Sequence, residues 1–211
     1  MTRKYALLAL LTLSASLFAQ TPKPRKATRA KSAQGQARRA MEQRVKALED
    51  KDAILKVMYG YAYTVDFGKE THEYTDLYTE DATFLSVPSP APGSPVPATL
   101  EERAAQRPAT GAFTGRKALE GWIVNEWKMR DDLLAKGHYR IHELISPDVT
   151  ITGDTASTRS FFQTTDNDNG RIYAVSIGVY KGQMVRGADG KWRIKEWLLI
   201  RQGPGNPTGA R

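Results

Sequence analysis

The sequence predicts an α+β domain in which a long N-terminal helix plugs a strongly curved antiparallel sheet. Three observations point there. Apolar residues recur every three or four positions from Met41 to Val65, and again from Leu119 to Leu134. After Gly137 the chain becomes a series of runs rich in Val, Ile, Thr and aromatics, separated by Gly153-Asp154, Asp166-Asn167-Asp168-Asn169-Gly170 and Ala188-Asp189-Gly190. Helices first and hairpin-linked strands afterwards is the α+β order.

The first helical face is carried by Met41, Val45 and Leu48 and continues through Ile54, Leu55, Met58, Tyr61, Ala62 and Val65, with Glu49-Asp50-Lys51-Asp52 as a break or a fresh start and Gly68 as the stop. Tyr74, Leu77 and Tyr78 suit a short second helix capped at Thr71, leading into a strand from Ala82 to Val87. Five prolines between residues 88 and 97 open an irregular insertion at 87–112, with one helical turn near Leu100 to Gln106; it is either a lid or a floppy excursion. A third helix spans Gly115 to Lys136, capped by Thr114 and ended by Gly137. Strands follow at Tyr139–Ile145, Val149–Thr152, Ala156–Thr165, Arg171–Arg186 and Trp192–Arg201, consecutive ones pairing antiparallel.

The flanks differ in composition. Residues 1–19 carry Arg3 and Lys4, an apolar run from Ala6 to Leu13 and a small-residue end at Ala19, the pattern of an export signal too short to span a bilayer. The mature protein is therefore expected in the periplasm or secreted, with no stable membrane insertion. Residues 20–40 form a basic linker with little to bury, expected to be disordered, as is the tail 203–211. Nine of the 31 Lys and Arg lie in the first 40 residues without one acid, which leaves 22 bases against 23 acids for the remainder. The net charge of +8 thus belongs to the flank, and the domain at 41–202 has no basic surplus for nucleic acid. There is no cysteine, hence no disulfide.

The order Leu48-Glu49-Asp50-Lys51-Asp52-Ala53-Ile54, Tyr61 through Asp66, Leu77-Tyr78-Thr79-Glu80-Asp81-Ala82-Thr83-Phe84, His142 with Ser146, Gly153-Asp154-Thr155-Ala156, Tyr180 with Val185-Arg186, and Asp189 to Ile194 resembles the SnoaL-like group of the NTF2-like superfamily. The resemblance covers residues 41–201 and implies a cone of bent sheet around one long helix. It extends to the scytalone dehydratase and bile-acid 7α-dehydratase branch, whose sites join a helix Tyr and Asp to a strand His and a further His or Asp; Tyr61, Asp66, His142 and Asp166 fall at or near those positions. Gly182, Ser146 and Trp197 depart from it, standing where many relatives carry Asp, Asn and Arg. The resemblance also implies a homodimer, a small-molecule ligand and no cofactor or metal.

The chemistry implied is removal of a proton next to a carbonyl with loss of a β-hydroxyl. Imidazole is the side chain that exchanges protons near neutrality. His142 is expected to take the proton and return it to the leaving hydroxyl, Asp66 to orient the imidazole, Tyr61 to donate to the carbonyl oxygen, and Asp166 to anchor a substrate hydroxyl. Phe84, Trp122, Phe162 and Tyr180 are the aromatic residues expected to contact substrate, a small apolar hydroxylated carbonyl compound. Each residue has a plain structural alternative: Tyr61, Trp122 and Trp127 as core, Asp66 as a helix end, His142 on a solvated strand face with Arg140 and His138, and Asp166 as a turn residue. His72 and His138 are expected at the surface. The Asp166–Gly170 run lacks the glutamate and flanking helices of a calcium loop, and His138 and His142 lack the helical spacing of a zinc pair. A dehydratase or isomerase is thus one reading, and a non-catalytic ligand-binding or assembly module of the same fold is the other.

Overall fold

The computed structural model describes residues 25–88 and 112–202, together with positions 99, 102 and 105. The expected export signal, the start of the linker, most of the proline-rich insertion and the tail lie outside the described residues. Among the described residues nine elements follow in order: α1 (Arg25–Phe67), α2 (Thr71–Thr75), β1 (Tyr78–Val87), β2 (Ala112–Thr114), α3 (Arg116–Leu134), β3 (His138–Thr152), β4 (Thr155–Asp168), β5 (Arg171–Arg186) and β6 (Trp192–Gln202).

The chain divides into two units at Arg44/Val45. In the first, residues 25–44 are helical, whereas the composition of 20–40 suggested an irregular linker. Ala, Arg, Lys and Gln are good helix formers, and an Arg38–Glu42 pair one turn apart at 2.8 Å adds to that preference. The second unit begins within α1, which passes through Glu49–Asp52 with no break. Of the expected apolar face, Ile54, Met58, Tyr61, Ala62 and Val65 are buried, while Met41, Val45 and Leu48 are exposed.

The sheet runs β2-β1-β6-β5-β4-β3 and is not purely antiparallel, because β1 lies parallel to β6 with Phe84 opposite Trp197. That puts β6 mid-sheet, and Trp197 to Ile200 are buried on both faces, as such a central strand requires. One face carries the main core, with Tyr61, Tyr74, Tyr78, Phe84, Leu119, Ile123, Tyr180 and Trp197; the other face carries Leu85, Val87, Leu198 and Ile200. Register shifts leave extra residues in β1, β3, β5 and β6, and such bulges bend a sheet. At the one in β3, Ser146 takes a φ of 51°.

Local signals mostly hold, with instructive exceptions. Helix α2 starts after Glu70 rather than at a Thr71 cap, and Glu73 Oε2 accepts from the Lys69 and Glu70 N–H groups. Thr114 belongs to β2 and does not cap α3, which begins after Gly115 at φ 80°. The turn between β4 and β5 is only Asn169-Gly170, both with positive φ, so Asp166 is a strand residue opposite Arg140 rather than a turn residue.

Candidate functional site

The last turn of α1 lies against α3 and the free edge of β3, and three contacts hold it there. Trp127 Nε1 donates to the Thr64 carbonyl at 2.9 Å, and Arg130 donates to the Gly68 carbonyl at 2.8 Å. The Thr64 carbonyl also accepts the Gly68 N–H at 3.0 Å, so the indole is its second donor, whereas Arg130 pairs a carbonyl just past the helix end and its guanidinium offsets the negative end of the helix dipole. That compensation lets an acid stand at Asp66, where the dipole alone would disfavour it.

Asp66 supplies the third contact, using both oxygens on one residue. Its Oδ2 accepts the His142 backbone N–H at 2.7 Å, and its Oδ1 lies 2.6 Å from His142 Nδ1. Because β3 is the last strand of the sheet, the His142 N–H points away from β4, and the carboxylate supplies the partner that a further strand would otherwise give. A carboxylate accepts only, so the imidazole carries its proton on Nδ1 and leaves Nε2 as the basic atom. The Asp66 side chain is 4% exposed and that of His142 is 19% exposed, so the acid is dry and the base reachable.

His142 borders two cavities. The larger, of about 140 Å³, is lined by Tyr61, Val65, Phe84, Ser86, Trp122, Glu126, His142, Leu199 and Arg201. The smaller, of about 30 Å³, lies between α1, α3 and β3 and adds Asp66, Met129, Arg130, Leu133 and Arg140. Val65, Glu126 and His142 are common to both. Burial keeps the Tyr61 hydroxyl protonated, its pKa raised well above that of a free phenol. It belongs to a nest of rings with Tyr180 at 5.3 Å and Trp197 at 5.4 Å.

Of the residues expected to act, the fold brings Tyr61, Asp66 and His142 to one place together with Phe84 and Trp122. The others lie elsewhere. Asp166 is buried and both its oxygens accept from Arg140, each at 2.7 Å; it lines neither described cavity, where a substrate anchor was expected. Phe162 and Tyr180 pack against each other within the core, their rings 4.7 Å apart and tilted by 39°, and also line neither, so the expected wall contact falls to Phe84 and Trp122. His138 pairs with Asp168 at 2.9 Å and is half-buried rather than on the surface. Gly182 and Trp197 are opposite one another on β5 and β6, and a Cβ at Gly182 would meet the indole at 2.5 Å. The indole thus occupies the room that a side chain at 182 would need.

Sequence reasoning missed Glu126, Ser86 and Arg201. Arg201 shares a strand face with Trp197 and Leu199 by period two, and its guanidinium donates to Ser86 Oγ. Glu126 lies one turn after Trp122, so helical spacing put it on a face already read as apolar.

The model of the SnoaL-like domain matches residues 46–198, and the chain belongs to that family. Solved structures agree on the fold. An NTF2-like protein with a cystatin-like fold from Novosphingobium aromaticivorans superposes with a TM-score of 0.57 at 20% identity, covering 81% of this chain and 90% of that one. Aln2 from a Streptomyces species gives 0.52 at 17%, covering 72% and 91%. A protein of unknown function from Nostoc punctiforme gives 0.51 at 16%, covering 75% and 94%. No curated protein sequence matches. Among the described residues no helix is long and apolar enough to cross a membrane.

Proposed function

We propose that the protein is an exported, cofactor-independent dehydratase or isomerase acting on a small apolar hydroxylated carbonyl compound. The observation that carries this reading is the Asp66–His142 pair, 2.6 Å apart, with the imidazole on the wall of a cavity that Tyr61 also lines. His142 Nε2 takes the proton next to the carbonyl, Asp66 holds the tautomer and stabilises the imidazolium, and the Tyr61 hydroxyl donates to the enolate oxygen. The proton on His142 is then available to the leaving hydroxyl. A cavity of about 140 Å³ suits one ring rather than a fused skeleton, since a space of roughly 150 Å³ takes benzene. The test is 3-hydroxycyclohexanone, whose dehydration gives a conjugated enone seen by ultraviolet absorbance. Turnover that falls at least about a hundredfold in His142→Ala supports the reading; turnover equal in the variant and the wild type refutes it.

A non-catalytic assembly or binding module is the second reading, favoured by one observation. The sheet face away from the core exposes Tyr139, Ile141 and Ile145 of β3, Phe161 of β4, and Ile172 and Ile177 of β5, with Ile145 directly opposite Phe161. Contiguous exposed apolar groups of this kind mark association surfaces. We assign this face to a second copy of the chain, so that Phe161→Glu yields monomers in sedimentation while the wild type sediments as a dimer. Export to the periplasm is checked by N-terminal sequencing of the protein from that fraction.

A further inference from the structure

Glu126 is the one acid that borders both cavities, and nothing in the proposed chemistry uses it. It projects from the middle of α3, one turn after Trp122 and one turn before Arg130, and is half-buried. Arg130 turns away to the α1 carbonyls and Asp131, Arg140 is engaged in the pair with Asp166, and Arg201 donates to Ser86. The Glu126 carboxyl makes no hydrogen bond or ion pair with any described residue. A half-buried carboxyl without a partner is costly in its charged form, and burial accordingly raises its pKa above the ordinary glutamate value, although His142, Arg201 and Arg140 pull the other way. The other titratable or charged groups around these cavities are Asp66 and Tyr61 of α1, Arg130 of α3, Arg140 and His142 of β3, and Arg201 of β6.

We propose that Glu126 is a second, ligand-contacting acid of this site, donating a hydrogen bond from its protonated carboxyl to a ligand oxygen held in the larger cavity beside His142. Resting on the dehydratase reading, its part in turnover is to protonate the departing hydroxyl in place of His142. His142 Nε2 takes the α-proton, and the enolate collapses to the enone. The β C–O bond breaks with its electron pair, and that oxygen takes the Glu126 proton and leaves as water. His142 then returns the α-proton through solvent to the Glu126 carboxylate, and both groups are restored. The ligand class this selects is a neutral ring bearing a carbonyl and a β-hydroxyl, rather than an anion that an ionisable carboxyl would repel. Two acids with separate tasks, one orienting the base and one serving the leaving group, follow from their environments: Asp66 is fully engaged with His142, and Glu126 is free to give a proton.

Phenol serves as the binding probe, because it fits a cavity that takes one ring and its hydroxyl oxygen can accept from Glu126 as the substrate hydroxyl does. Binding is measured by calorimetry and turnover with 3-hydroxycyclohexanone. The amide of Glu126→Gln still donates, so that variant binds phenol within about threefold of wild type yet loses about a hundredfold or more in kcat. Glu126→Ala loses about tenfold in phenol affinity, the worth of one hydrogen bond. Phenol affinity in Glu126→Ala equal to wild type overturns the proposal whether or not turnover is seen, and so does an undiminished kcat in Glu126→Gln. If the wild type does not dehydrate 3-hydroxycyclohexanone, the His142 reading fails by itself, while a tenfold loss of phenol affinity in Glu126→Ala that glutamine restores still supports Glu126 as the ligand contact.

Discussion

Replacing Asp66 by asparagine separates the two tasks of that side chain. In the wild type both oxygens accept, one from the His142 backbone at 2.7 Å and one from its ring at 2.6 Å, in a side chain only 4% exposed. Asparagine keeps one oxygen, which the backbone N–H takes, and presents its NH2 to the ring. The imidazole must then accept at Nδ1 and carry its proton on Nε2, turning the basic atom away from the cavity. Exchanging one charge-assisted bond for a neutral one costs about 1–2 kcal/mol, and removing a negative charge from a helix C-terminus returns about 0.5 kcal/mol, so the net loss is about 1 kcal/mol. Alanine removes both acceptors and leaves two donors short of partners; at about 1–3 kcal/mol each, eased by the water that reaches the ring, the loss is about 3 kcal/mol. Urea unfolding reads the stabilities, and long-range proton–nitrogen NMR reads which ring nitrogen is protonated. Turnover by the asparagine variant should fall by about a thousandfold or more, as an inverted tautomer does in a triad. An unchanged tautomer together with an unchanged unfolding midpoint would refute the account of how Asp66 works.

Three further outcomes follow from single contacts. Gly182→Ala brings a methyl to 2.5 Å from both Trp197 and Thr158 Oγ1 and should lose about 2–3 kcal/mol in urea unfolding, whereas Gly190→Ala, with open space but φ 76°, should lose about 1 kcal/mol through backbone strain alone. Arg140→Ala leaves Asp166 buried with no countercharge; with Arg140 itself partly in water, a loss of about 2–3 kcal/mol is expected, and Arg140→Ala/Asp166→Ala should recover part of it. The Arg186 guanidinium, with help from Lys46 and Trp192, lowers the Asp50 pKa to about 2. Since the folded value lies below the unfolded one of about 3.8, the stabilisation is complete above pH 4 and fades as pH falls through 2. The gap in unfolding midpoint between wild type and Asp50→Asn should therefore close between pH 4 and 2, and a gap independent of pH would contradict the pairing.

What could be read directly from the sequence is what neighbouring residues decide among themselves. Period 3.6 located α3 and the buried end of α1, period two located the strands, and positive-φ residues at Gly137, Gly153, Gly170 and Gly190 fell where turns were expected. Spacing and resemblance together also pointed to Tyr61, Asp66 and His142, which the fold brings close to one another. Periodicity says which side of an element is apolar but not whether anything covers it, so Met41, Val45 and Leu48 were read as core and are exposed. The parallel pairing of β1 with β6 joins residues more than a hundred positions apart, and no local pattern encodes which sheet edge a first strand will take. Only the tertiary structure gave Asp166 to Arg140, packed Phe162 against Tyr180 away from the cavities, and left Glu126 bordering both with no hydrogen-bond or ion-pair partner among the described residues. The energy of a charge depends on what lies within a few ångströms and how much water remains there, and those quantities come into being only when distant elements meet.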